Sequence, residues 1–151
     1  GQVAPSVTVE IRVGGQEHQF DDASYDDETQ FFMESLLSWV ASDLTTVEFS
    51  AGNGFDTTID DVSKETFFVE VGVEHQFSDK IRALAGLGYE DVKYSNDRDD
   101  DQYTVDIGSV YTLITDQLEI EGGLRYADRD SSEDRSTYDV LSAKISISYL
   151  F

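Results

Sequence analysis

From Tyr138 to Phe151 an apolar side chain falls on every second residue: Leu141, Ala143, Ile145, Ile147, Tyr149 and Phe151. Ser142, Lys144, Ser146 and Ser148 occupy the positions between them. Successive side chains of a β-strand point to opposite faces, so a period of two predicts a strand with one apolar and one polar face and excludes an amphipathic helix. The same alternation runs through seven earlier segments. Together they predict eight strands, at Val7–Gln19, Gln30–Ala41, Thr45–Phe55, Thr66–Phe77, Lys80–Lys93, Gln102–Ile114, Gln117–Ala127 and Thr137–Phe151.

The punctuation between these segments is periodic. Ser42-Asp43-Leu44-Thr45, Ser78-Asp79-Lys80-Ile81 and Thr115-Asp116-Gln117-Leu118 share one pattern, in which Ser or Thr and Asp can close a tight turn through local hydrogen bonds. Their aspartates stand 36 and 37 residues apart, which marks a repeated hairpin unit. Longer acidic stretches separate the turns: Asp21 to Thr29, Thr57 to Lys64, Ser95 to Asp101 and Arg129 to Ser136. Short turns on one rim and longer polar loops on the other predict an up-and-down antiparallel arrangement, with both chain ends on the short-turn rim.

One parity of this pattern is bulky and apolar, for example Val9, Ile11 and Val13, or Phe67, Val69, Val71 and Val73. The other carries charge and glycine. A soluble barrel would turn the apolar parity inward, whereas a membrane barrel would turn it to lipid. Eight strands enclose a space just wide enough to be filled by side chains or to hold one small ligand. The apolar parity is too bulky for that space, while glycines on the charged parity leave room for Glu and Arg. The expectation is therefore an all-β fold, an eight-stranded antiparallel up-and-down transmembrane β-barrel. It would form one domain over 1–151, with 1–6 as a short N-terminal periplasmic extension. A last strand ending in an aromatic residue also fits a bacterial outer-membrane barrel, anchored at its periplasmic rim.

Composition narrows the function classes. Ten Lys and Arg stand against 32 Asp and Glu, a net charge of −22, which excludes nucleic acid as a partner because phosphate contacts need a cationic surface. Cysteine is absent, so there is no disulfide, thiolate ligand or thiol nucleophile. No segment reaches the ~18 consecutive apolar residues of a spanning helix. No signal peptide is visible at Gly1-Gln2-Val3, so if the protein is exported the sequence is expected to be the mature or recombinant form.

The second half resembles the outer-membrane β-barrel family called putative beta-barrel porin 2, found among exopolysaccharide-associated barrels. The likeness is carried by Phe77-Ser78-Asp79-Lys80-Ile81-Arg82-Ala83, Gly88-Tyr89-Glu90-Asp91-Val92-Lys93-Tyr94, Asp97-Arg98-Asp99-Asp100 and Val110-Tyr111-Thr112-Leu113. It continues in Leu124-Arg125-Tyr126-Ala127-Asp128-Arg129-Asp130-Ser131 and Tyr138-Asp139. The stretch before Thr66 shares only general barrel character. The resemblance implies a pore in barrels with about twice as many strands or more, and this chain has segments for eight.

Three constellations are candidates for function. The charged parity assembles a lumen network of Glu10, Arg12, Glu34, Glu48, Glu70, Glu74, Arg82, Glu90, Asp106, Glu119, Glu121, Arg125 and Lys144. In a narrow lumen these groups must pair, since unpaired buried charge is expensive. Alternatively they line a constricted path, in which rings of Asp and Glu favour cations. On the other parity, Trp39, Phe77, Tyr89, Tyr103, Tyr111, Tyr126, Tyr149 and Phe151 lie near strand ends, as membrane-interface aromatics do. Asp97, Asp99, Asp100 and Asp101 offer oxygen ligands for weak calcium binding, without the spacing of an EF-hand loop. Of the two histidines, His75 falls on the apolar parity. His18 lies inward near the first acidic loop, with no nucleophile motif beside it.

The expected function is a non-enzymatic, integral outer-membrane protein with a structural or scaffold role and a charge-plugged lumen. The alternative is a narrow cation-preferring pore or a porin-like component of polysaccharide export. A lipid-modifying enzyme is the third reading. No cofactor is expected. The expected surroundings are outer-membrane lipid and lipopolysaccharide, with divalent cations at the acidic loops, and the chain is expected to be a monomer.

Overall fold

In a computed structural model the described residues are 6–18, 28–57, 63–114 and 117–149. They form β1 (Val7–His18), β2 (Glu28–Ser42), β3 (Thr45–Thr57), β4 (Ser63–Ser78), β5 (Ile81–Tyr94), β6 (Asp99–Ile114), β7 (Leu118–Ser131) and β8 (Tyr138–Tyr149). A 3-10 turn, Asp134–Ser136, lies between β7 and β8. Each strand pairs antiparallel with its sequence neighbours in one eight-stranded sheet, in the order β1 to β8. The sheet is open, where the sequence predicted a closed barrel: β1 and β8 each pair on one side only. Residues 1–5, 19–27, 58–62 and 115–116, and Leu150 and Phe151, lie outside the described residues, so the predicted turn at Thr115-Asp116 is only partly described.

The hairpin repeat has a structural counterpart that its sequence does not announce. Register slips by one residue between Val40 and Ser42, between Gln76 and Ser78, and between Thr112 and Ile114. A β-bulge therefore stands at the same place in all three hairpins, each just before its tight turn. Such bulges add local twist and bend the strand. The Ser42 and Ser78 hydroxyls then accept the Leu44 and Lys80 amides at 3.3 Å, as the turn chemistry predicts.

On the opposite rim the strands run further into the acidic stretches than their alternation suggests. Ser63 and Lys64 belong to β4, Asp99 to Asp101 to β6, and Arg129 to Ser131 to β7. Between β5 and β6 the loop shrinks to Ser95-Asn96-Asp97, closed by the Tyr94 amide donating to the Arg98 carbonyl at 2.8 Å. Asp97 takes the left-handed conformation there, with φ of 66°. A type I turn followed by such a residue is a common three-residue hairpin loop, and Asp tolerates the position better than most side chains.

The two faces differ in exposure. Along β6, Asp100, Thr104 and Val110 are buried on the polar face, whereas Tyr103, Val105, Ile107 and Tyr111 are exposed on the apolar one. The polar face is not uniformly polar: Phe32, Leu36, Phe68, Leu84, Val92 and Val110 share its parity. Glycine explains how the rings fit. Gly52 and Phe68 are register partners, and a Cβ at Gly52 would meet the Phe68 ring at 3.0 Å and the Met33 carbonyl at 2.8 Å. Phe32 lies over its partner Gly14 in the same way. Aromatic rings folded over cross-strand glycines shield backbone that has no side chain of its own.

Candidate functional site

The polar face carries the site. Because β-strand side chains repeat every two residues, register alone sets which charges meet across the face. Arg12 lies opposite Glu34 and Arg125 opposite Asp106, and these pairs are 3.6 Å and 3.7 Å apart. Arg12 also donates from Nε to Glu10 at 2.7 Å. Lys144 reaches Glu121 diagonally at 3.6 Å.

Arg82 spans more of the sheet than any of these. Its guanidinium stands 3.5 Å from Glu74 on β4 and 3.3 Å from Glu119 on β7, crossing over β6. Thr112 on that intervening strand donates to the same Glu119 at 3.1 Å. Four strands are thus tied near the short-turn rim, a reach that requires the polar face to be concave. Ser50 donates to Glu70 at 3.4 Å. Among the described residues, no cation lies within ion-pair distance of Glu48, Glu70 or Glu90.

A second cluster stands at the loop rim, built from residues that the sequence alternation places in loops. Asp100 is fully buried on the polar face. It accepts Arg98 Nε at 2.9 Å and Nη2 at 2.5 Å, together with the Ser131 hydroxyl, and Arg129 Nη2 stands 3.0 Å away. In the loop, donation to Asp100 pushes the Arg98 guanidinium above its ordinary pKa. Its charge also lies 4.6 Å from the centre of the Tyr94 ring. The available signal was parity: Asp100 continues Gln102, Thr104 and Asp106, and Arg129 continues Arg125 and Ala127.

The four aspartates considered for calcium do not converge. Asp99 and Asp101 leave β6 on the face opposite Asp100, Asp101 accepts the Tyr89 hydroxyl at 2.6 Å, and Asp97 forms the turn. Among the described residues, no three acidic or histidine side chains are grouped to hold a metal ion. His75 Nδ1 pairs with the Thr45 hydroxyl at 2.9 Å, and its ring meets Phe77 edge-on. The side chain of His18 lies outside the described residues.

On the apolar face Trp39, Phe77, Tyr103, Tyr111, Tyr126 and Tyr149 are exposed, while Tyr89 is partly covered by Tyr103 at 5.1 Å between ring centres. Trp39, Phe77, Tyr111 and Tyr149 gather toward the short-turn rim, and Tyr89, Tyr103 and Tyr126 toward the loop rim. Phe151 is outside the described residues.

An up-and-down antiparallel sheet with a charged face and an exposed apolar face belongs with the porin-like β-barrel proteins. The family model for putative beta-barrel porin 2 matches residues 2–149, and the chain belongs to that family. The match takes in the first hairpins as well as the second half, which alone carried the resemblance in sequence. No curated protein and no solved structure matches the chain.

Proposed function

We propose that this sheet is the wall of a transmembrane β-barrel in the bacterial outer membrane, and that its polar face lines a water-filled path preferring cations. One observation carries the reading: the charged face is concave, while the bulky apolar face is exposed. Phe31 and Ile145 are 82% and 80% exposed. Monomeric soluble proteins rarely leave contiguous apolar patches larger than a few hundred Å² exposed, and lipid covers such a face at no cost. The two aromatic groups support the same orientation. Tyr103 and Tyr111 are separated by about 26 Å along β6 at ~3.3 Å per residue, or about 20 Å of height at a ~40° tilt. An outward apolar band is ~25 Å tall in known barrels. The short turns then face the periplasm and the acidic loops face outward.

Cation preference follows from the lumen charges. Nine carboxylates of the network face four cations. In water-filled space that excess needs no compensating partner. A plugged structural barrel is the second reading, favoured by the four-strand tie through Arg82. Single-channel recording from folded protein in planar bilayers separates the two. The pore reading requires reproducible steps and, under a KCl gradient, a reversal potential displaced toward that of potassium. The triple variant Glu48→Gln, Glu70→Gln and Glu90→Gln is expected to reduce that displacement. Folded, inserted protein that never conducts would leave the plugged barrel.

A further inference from the structure

The polar face of β3 runs short of side chain. After Glu48 its positions are Ser50, Gly52 and Gly54, whereas β2 carries Glu34 and Leu36 beside it and β4 carries Phe68 and Glu70. Register sets Leu36, Ser50 and Glu70 in one row and Glu34, Gly52 and Phe68 in the next. A strand of small residues between two strands of long ones leaves a trough. It holds a recess of about 160 Å³ whose lining includes Glu10, Arg12, Glu34, Leu36, Ser50 and Phe68.

The walls of this recess are not those of a path for hydrated ions alone. Leu36 is 40% exposed on the polar face. Phe68 is half-buried, its ring 3.0 Å from where a Cβ at Gly52 would stand, so the glycine seats the ring. A hydrated ion gains nothing from either side chain. Sites for small organic molecules, by contrast, combine apolar walls with a few placed polar groups. A cavity of ~150 Å³ accommodates benzene, so the volume suits one ring-sized group.

Charge around the recess selects the sign of the ligand. Glu10 and Glu34 share Arg12, at 2.7 Å and 3.6 Å. Glu70 accepts the Ser50 hydroxyl, and Glu90 on β5 is the register partner of Phe68. Four carboxylates thus border Leu36 and Phe68 against one guanidinium. Among the described residues, no cation lies within ion-pair distance of Glu70 or Glu90. An ammonium group is attracted by the face of an aromatic ring as well as by carboxylates, and an anion is repelled by both.

Resting on the reading of the polar face as the wall of an aqueous path, we propose that this recess binds organic cations. A ring-sized apolar group sits against Phe68 and Leu36, with its ammonium among Glu34, Glu70 and Glu90. Benzylammonium, benzyl alcohol and methylammonium are the probes, each titrated into protein refolded in detergent. The salt is about 0.15 M, which screens long-range attraction by the net charge. Leucine methyl signals are followed by NMR, that of Leu36 being assigned by its loss in Leu36→Ile. Leu87 and Leu141, exposed on the apolar face, report partition into detergent. A saturable shift at Leu36 is expected with benzylammonium, at a concentration at least about fivefold below that needed for either other probe. Phe68→Tyr should keep that affinity, whereas Phe68→Leu should weaken it about fivefold. The double variant Glu34→Gln/Glu70→Gln should weaken it as well. An equal response to methylammonium would show general attraction, and an equal response to benzyl alcohol would show partition. Either overturns the proposal, as does the lack of a saturable shift at Leu36. Conductance is read separately: a conducting protein with a silent Leu36 keeps the pore and loses the site, and a non-conducting protein that binds benzylammonium does the reverse.

Discussion

The loop-rim cluster at Asp100 and the edge pair at Arg12 use the same chemistry on the same face, and they differ in water. Asp100 has a side chain 0% exposed, with Arg98 and Arg129 23% and 18% exposed around it. Arg12 is 64% exposed and its partners Glu10 and Glu34 are about half exposed. The first site lies on β6, flanked by neighbours on both sides, while the second lies at an open edge. Exposed pairs are worth 0–1 kcal/mol, because solvent screens them and two long side chains must be held in place. Buried pairs are costly to break, because one partner is left charged without compensation. Position in the sheet, rather than residue type, therefore decides which charges are buried and hold the fold and which stay exposed to solvent.

Several substitutions test that contrast. Asp100→Asn should be the most damaging, since it strands Arg98 and Arg129. A loss of about 3 kcal/mol is expected in urea unfolding of the refolded protein, and a loss under 1 kcal/mol would mean the cluster is solvated. Gly52→Ala comes next, at about 1–3 kcal/mol, because its Cβ meets backbone at Met33 as well as the yielding Phe68 ring. Arg82→Met, which breaks the tie between β4 and β7, should cost about 1 kcal/mol. It should also raise conductance if that tie narrows the path. Arg12→Met should change stability by less than about 0.5 kcal/mol. Raising salt should weaken the Arg12 contribution and leave the Asp100 contribution largely in place, because screening acts mainly on exposed charge.

Asp97→Gly provides a check on the loop. The left-handed φ of 66° costs glycine nothing, so the variant should be neutral to slightly stabilising, within about 1 kcal/mol. Asp97→Val should destabilise by at least as much, since β-branched side chains resist that conformation. Equal stability of the two variants would show that the Ser95-Asn96-Asp97 turn is not held in this form in solution.

The period of two determined eight strands, their order and which side chains share a face, because alternation is a local property of each segment. The Ser-Asp turns fixed the short rim for the same reason, and parity placed Arg12 with Glu34 and Arg125 with Asp106 once the hairpins were in register. Tertiary structure decided what depends on neighbours distant in sequence. The bulges before the tight turns, Phe68 seated on Gly52, and Arg82 reaching Glu119 across an intervening strand all arise from register and curvature. Asp100 reads in sequence as one of five consecutive charged loop residues. Only the extension of β6 and β7 turns it inward, away from Asp99 and Asp101, and puts two arginines on it. The open sheet belongs to the same level: strand pattern specifies how many strands form, while register and curvature decide how they are arranged.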